Sequence, residues 1–148
     1  MTTGSIPASW RGNAARYRMM GSKCTKEGNI IFPPRVICPK CGAPAEEDYV
    51  LSGKGKLVNY TVIHVPPRHQ ELMAPYVVGV IQLEEGPRVT AQIVGVEIEN
   101  VAEALKPEIP MVSTFRKYSS ESPESVIVYG YKFMPSSLYL PLGMEKKD

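Results

Sequence analysis

Cys24, Cys38 and Cys41 are the residues whose type and spacing could do chemistry, and that chemistry is thiolate binding of a metal. Cys38-Pro-Lys-Cys41-Gly42 is a complete metal knuckle. Two thiolates at that spacing face one point, proline sets the turn, and glycine takes a backbone conformation that other residues resist. Cys24-Thr-Lys-Glu27-Gly28 is a look-alike with one cysteine, and Glu27 stands where the second would be. Paired turns of this kind make a zinc ribbon. Carboxylate oxygen is a permitted zinc ligand, although structural sites are mostly all-Cys or Cys/His; the candidate set is therefore Cys24, Cys38 and Cys41, with Glu27 in fourth place.

Little else in the chain suggests turnover. His64 and His69 are the two histidines, and neither has a Ser/Asp or Cys/Asp neighbour in a recognisable motif. Gly53-x-Gly55 is too short for a phosphate loop of the P-loop or dinucleotide type. No catalytic residue is assigned. Charge is a stronger signal: residues 1 to 45 carry Arg11, Arg16, Arg18, Lys23, Lys26, Arg35 and Lys40 against Glu27 alone, within a chain whose net charge is only +2. Such a patch suits a phosphate-bearing ligand, a nucleic acid or an acidic protein face, or it simply aids solubility.

The 148 residues, 43% of them hydrophobic, can hold one ordinary domain or two small ones with a real core. There is no run of about 18 apolar residues and no charged-then-apolar leader pattern, so a soluble cytoplasmic protein is expected. Three cysteines in knuckle spacing argue against a disulfide framework.

The elements that must position the cysteines follow in order. Trp10, Ala14 and Tyr17 share one face of a helix expected from about Pro7 to Met20, within an N-terminal helical segment of residues 1–22. Gly12 weakens that helix by about 1 kcal/mol. Trp10 and Tyr17 are expected to cover the ribbon, or else to form a docking face. The ribbon spans residues 23–50, with Asn29 to Arg35 as an extended hairpin arm between the knuckles. Glu46-Glu47-Asp48 breaks the apolar pattern, and Ser52 to Gly55 supplies a flexible boundary. Strands then follow at Leu57–Val65, Tyr76–Leu83 and Arg88–Val94, a helix at Glu99–Leu105, and strands at Met111–Tyr118 and Val126–Met134. Five strands with a short helix between the third and fourth is the order of an OB-fold, placed here at residues 51–135. The tail, 136–148, is apolar before a charged end. The expected class is mainly β: an N-terminal helix, a rubredoxin-like zinc ribbon, and a five-stranded OB-fold barrel.

Arg16-Tyr-Arg18, Cys24, Phe32-Pro-Pro-Arg35, Cys38-Pro-Lys-Cys41-Gly42, Gly53-Lys-Gly-Lys56, Tyr60-Thr-Val-Ile-His64 and Val128-Tyr-Gly-Tyr131 together resemble the zinc-ribbon/OB-fold acyl-CoA-associated proteins, long filed as a domain of unknown function. The match covers roughly residues 10 to 135 and rests on the ordered set. That family is known chiefly from archaea and bacteria. The resemblance implies a non-catalytic accessory or scaffold protein that accompanies thiolase-superfamily enzymes, including acetoacetyl-CoA thiolase and hydroxymethylglutaryl-CoA synthase, and helps house acyl-CoA in mevalonate or lipid metabolism. Glu27 departs from the family pattern, which has a cysteine there, and the departure bears on whether zinc is bound.

Coenzyme A offers phosphates, an adenine ring and a long neutral arm, so its site needs cationic donors and an aromatic or apolar wall. Arg11, Arg16, Arg18 and Arg35 are the candidates, because a guanidinium can grip phosphate bidentately. The rival reading is a single-stranded nucleic-acid-binding OB-fold, which would use the basic front and some of the eight tyrosines. Against it, the basic residues lie outside the barrel portion, and Tyr60, Tyr129 and Tyr131 could equally be core.

Overall fold

The computed structural model describes residues 6–67, 74–119 and 128–139; His69, the segment 120–127 and the tail from 140 lie outside them. The chain starts with two short helices, α1 (Ile6–Arg11) and α2 (Asn13–Arg18). The single helix expected over Pro7 to Met20 is thus broken at Gly12, the residue least suited to a helix interior. It also ends early: Met19, at a left-handed φ of 49°, turns the chain into the first strand.

Strands β1 (Met20–Cys24), β2 (Ile30–Ile31) and β3 (Ala45–Val50) form an antiparallel sheet in the order β2-β1-β3. The arm between the knuckles contributes only two residues to this sheet. Pro33 and Pro34 follow at once, and neither has an N–H to give to a ladder. Glu46 to Asp48, read from sequence as a break, instead lie inside β3, where Glu46 pairs with Lys23 and Glu47 with Ser22. The exposure of Glu46 and Asp48 shows why charge is tolerated there.

Strands β4 (Lys54–Ile63), β5 (Tyr76–Leu83), β6 (Arg88–Ile93), β7 (Pro110–Ser119) and β8 (Val128–Pro135) close into a barrel in the order β4-β5-β6-β8-β7. A 3-10 turn (Ile98–Asn100) and α3 (Val101–Ala104) lie between β6 and β7, as the OB-fold order requires. Every strand pair is antiparallel except β6 with β8, which meet in parallel at the pair Ile93 and Phe133. Alternation fills the interior: β5 buries Val77, Ile81 and Leu83, β6 buries Val89, Ala91 and Ile93, and α3 adds Val101.

Ribbon and barrel share this core. Met19 and Leu51, which flank the ribbon sheet, belong to the same buried cluster as Leu57, Met111 and Phe133, and Ile30, Phe32 and Tyr49 pack against it. The junction is tight. Gly53, at a φ of 71°, accepts the Ser113 N–H at 2.8 Å, and a Cβ added to it would run into the Ser113 side chain. What reads in sequence as a flexible link is therefore a fixed crossing where only glycine fits. Among the described residues, no helix is long and apolar enough to cross a membrane.

Candidate functional site

The two cysteine turns are built alike. Gly28 and Gly42 each sit at a φ of 69°, and each donates its N–H to the carbonyl of the cysteine four residues back, at 2.9 Å for Cys24 and 3.0 Å for Cys38. The cysteine N–H groups are matched too: Cys24 donates to the Asn29 carbonyl and Cys38 to the Ala43 carbonyl, both at 2.9 Å. The first turn keeps the shape of a metal knuckle although it has lost a cysteine. Glu27 occupies the place that Cys41 occupies in the second.

The thiols of Cys24, Cys38 and Cys41 lie within 4.8 Å of one another, with 3.4 Å between Cys24 Sγ and Cys41 Sγ. Two thiolates on one tetrahedral zinc sit about 3.8 Å apart, given Zn–S bonds of about 2.3 Å. Three of the four positions of a structural zinc site are therefore preformed. Glu27 is exposed, its carboxylate accepts from Asn29 Nδ2, and it is not part of the cluster. Its backbone N–H donates to Cys24 Sγ at 3.4 Å, and this bond is the main influence holding the Cys24 thiol below its ordinary value. The Ala43 N–H draws Cys41 down, but the neighbouring Cys24 thiol, desolvation and Cys38 outweigh it and leave Cys41 raised. Cys24 would thus be the first of that pair to become the thiolate a metal requires.

The arginines do not converge. Arg11 ends α1 on the surface. Arg16 turns back on its own helix, with Nε donating to the Gly12 carbonyl at 3.4 Å and a terminal nitrogen to Asn13 Oδ1 at 3.2 Å. The Arg35 side chain is exposed while its backbone is held by the buried Ser22, whose Oγ accepts the Arg35 N–H at 2.6 Å and donates to the Arg35 carbonyl at 2.9 Å. Arg18 lines a cavity of about 200 Å³ with Tyr17, Ser113, Thr114, Phe115 and Tyr131. A second cavity, of about 430 Å³, runs between the ribbon at Ile30, Phe32 and Lys40 and the β5–β6 turn at Glu85 to Pro87.

Tyr17 does not cover the ribbon. It meets Phe115 of β7 edge to face, with centroids 5.2 Å apart, and Trp10 stands 70% exposed. Phe115 in turn stacks on Tyr129 of β8 at 5.6 Å and 13°. Tyr131 faces Phe32 from the ribbon and Phe133 from the core. Sequence reasoning passed over Ser22, Phe115 and Lys132. Lys132 is buried in β8, where desolvation, then the charge of Arg116, pushes its amine below the ordinary value. Its place in an apolar strand was the available signal. His64 lies exposed just past β4.

A three-stranded ribbon with paired cysteine turns, joined through one core to a closed OB-fold barrel, defines a class of two-part proteins to which sequence comparison adds a family. Residues 12–47 match the ChsH2 rubredoxin-like zinc ribbon domain and residues 48–116 match the ChsH2 C-terminal OB-fold domain. The chain belongs to this DUF35 family. It is 44% identical over 131 residues to a DUF35 domain-containing scaffold protein of Methanocaldococcus jannaschii, covering 88% of this chain and 90% of that one. It is 32% identical over 77 residues to the benzoylsuccinyl-CoA thiolase subunit BbsA of Thauera aromatica, about half of each chain. A solved structure described as an Ltp2-ChsH2(DUF35) aldolase is similar at a TM-score of 0.65 and 26% identity, covering 92% of this chain and 98% of that one.

Proposed function

We propose that this chain is a non-catalytic accessory subunit, a scaffold that joins a thiolase-superfamily enzyme of the acetoacetyl-CoA thiolase or hydroxymethylglutaryl-CoA synthase type and helps house its acyl-CoA. The observation that carries the reading is the core shared by ribbon and barrel, in which Met19 and Leu51 are buried together with Leu57 and Phe133. A body built this way holds two different faces at a fixed angle, which is what joining other proteins requires. The relatives' names support the same reading, one being called a scaffold protein and another a thiolase subunit.

Cys24, Cys38 and Cys41 would hold a zinc ion, which would cross-link the end of β1 to the second turn. The ion's work would be structural, because the ribbon leans on the barrel and does not depend on metal for all of its folding energy. Arg18 is the arginine best placed to meet a coenzyme phosphate, since it borders a cavity.

Co-purification of the tagged protein from its native cell tests the proposal. A thiolase-superfamily enzyme should come with it, and neither the protein alone nor its zinc-loaded form should turn over acetyl-CoA or acetoacetyl-CoA. Recovery of RNA or DNA in a salt-sensitive way, with no such enzyme, would replace this reading by the nucleic-acid one.

A further inference from the structure

β7 pairs with β4 only through Pro110, Met111 and Val112, and β8 pairs with β6 only at Phe133. Beyond those points β7 and β8 are paired with each other, and α2 packs against β8 and meets Phe115. The register sets Phe115 opposite Tyr131 and Lys117 opposite Tyr129. Alternation then puts Phe115, Lys117, Tyr129 and Tyr131 on one face. Inside the barrel that face is the core, ending in Phe133. Outside it, Phe115 is 53% and Tyr129 41% exposed, while Tyr17 reaches Phe115 from α2 and is 45% exposed. Three aromatic rings, with Phe115 touching the other two, are thus left partly in water. The cavity of about 200 Å³ beside them is bordered by Arg18 and by Ser113, which shares the Phe115 face of β7.

We infer that this surface, Tyr17-Phe115-Tyr129 with Arg18 and Lys117, binds the nucleotide end of a ligand: a purine ring stacked on the aromatic rings and its phosphates on the two cations. An aromatic face is attractive to any flat ring and indifferent to which one. The selectivity comes from what adjoins it. A guanidinium forks onto phosphate oxygens, a lysine adds a point charge on the same face, and the Ser113 hydroxyl on that face can donate to a remaining oxygen. Among the described residues of β7 and β8 there is no carboxylate. A broad protein contact would use the rings but would not need a concave pocket with a phosphate fork. The inference rests on the acyl-CoA reading and deepens it, assigning the adenine and phosphate end of that ligand to the hairpin and leaving the pantetheine arm to run elsewhere.

The experiment titrates the isotope-labelled full chain with ADP, with pantetheine and with acetyl-CoA in separate runs, following backbone amide shifts. ADP and acetyl-CoA should both move the amides of Arg18, Ser113 to Lys117 and Tyr129 to Tyr131, and pantetheine should leave them in place. A Phe115→Ala/Tyr129→Ala double variant should weaken ADP binding roughly tenfold or more, the loss expected from removing stacking partners. Its dispersed amide spectrum would show that the fold is retained. Lys117→Gln, a surface change, should weaken ADP binding but not adenosine binding.

Acetyl-CoA bound equally well by wild type and the double variant would overturn the inference while leaving the acyl-CoA reading intact. Failure of ADP and acetyl-CoA alike to move any amide, with the partner enzyme absent and again with it present, would overturn both. A double variant that binds ADP normally but no longer captures the enzyme would overturn the inference in favour of a protein contact.

Discussion

Phe32 and Tyr131 meet edge to face across the boundary between ribbon and barrel, with ring centroids 5.8 Å apart and planes at 68°. Phe32 comes from the arm between the two cysteine turns and Tyr131 from the last barrel strand, so one aromatic contact joins two motifs distant in sequence. Replacing Phe32 by alanine should remove about 2 kcal/mol of stability, less than the truncation of a fully buried aromatic because the ring is half-buried. Urea unfolding would show a lower midpoint with an unchanged slope. A reduced slope would mean that the ribbon had come loose before the barrel unfolded.

Glu27 offers the sharpest test of the metal site. Its turn matches the complete knuckle glycine for glycine and bond for bond, so Glu27→Cys should place a fourth thiol beside the other three. Zinc retained through gel filtration, measured by elemental analysis, should rise towards one equivalent per chain. Cys24→Ser should lower it. No gain from Glu27→Cys would mean that the first turn cannot direct a side chain at the cluster.

Gly53→Ala should cost about 2 kcal/mol or more, since it strains a left-handed residue and forces a methyl group against Ser113. Gly86→Ala is the control. That glycine also has a positive φ, of 111°, but nothing lies within 4 Å of an added Cβ, so only the backbone penalty applies. Thermal melts of the two variants would separate crowding from conformation.

Lys132 makes stability depend on pH in a defined direction. Burial, then the charge of Arg116, holds its amine below the ordinary 10.5, so the folded protein gives up this proton before the unfolded chain does. Where both forms are charged the penalty is complete. As pH rises through the folded value towards 10.5 the unfolded chain binds more protons, and stability at this position recovers. Paired melts of wild type and Lys132→Met, from about pH 7 to about pH 10, should show wild type gaining on the variant. A constant gap would contradict the shift.

Much of this architecture could be read from residues in a row, and the exceptions share a cause. Tyr76 to Leu83 is a strand with the bounds its composition suggests, and the helix expected over Glu99–Leu105 is found as a 3-10 turn, Ile98–Asn100, running into α3, Val101–Ala104. These elements are set by local pattern. Glu46 to Asp48 misled because charge reads as a break, whereas pairing with Lys23 and Ser22 carries the strand through it. Gly53 looked flexible because its neighbour in space, Ser113, is sixty residues away in the chain. The cysteine set was legible from spacing, but the position of the Glu27 carboxylate was not, since Asn29 competes for it. Tyr17 was expected to cover the ribbon because the ribbon follows it in sequence, yet its ring partner is Phe115 on the barrel.

That last contact sets an order of events. Tyr17 and the helix that carries it leave the ribosome before any strand of the barrel, whereas the surface they settle on, β7 and β8, follows the other three barrel strands. Closing so long a stretch of chain gains nothing until the hairpin exists to receive it. α2 precedes every barrel strand in the chain, yet the ring it rests on comes from the fourth of those strands, so its docking is a long-range contact that local sequence cannot make by itself.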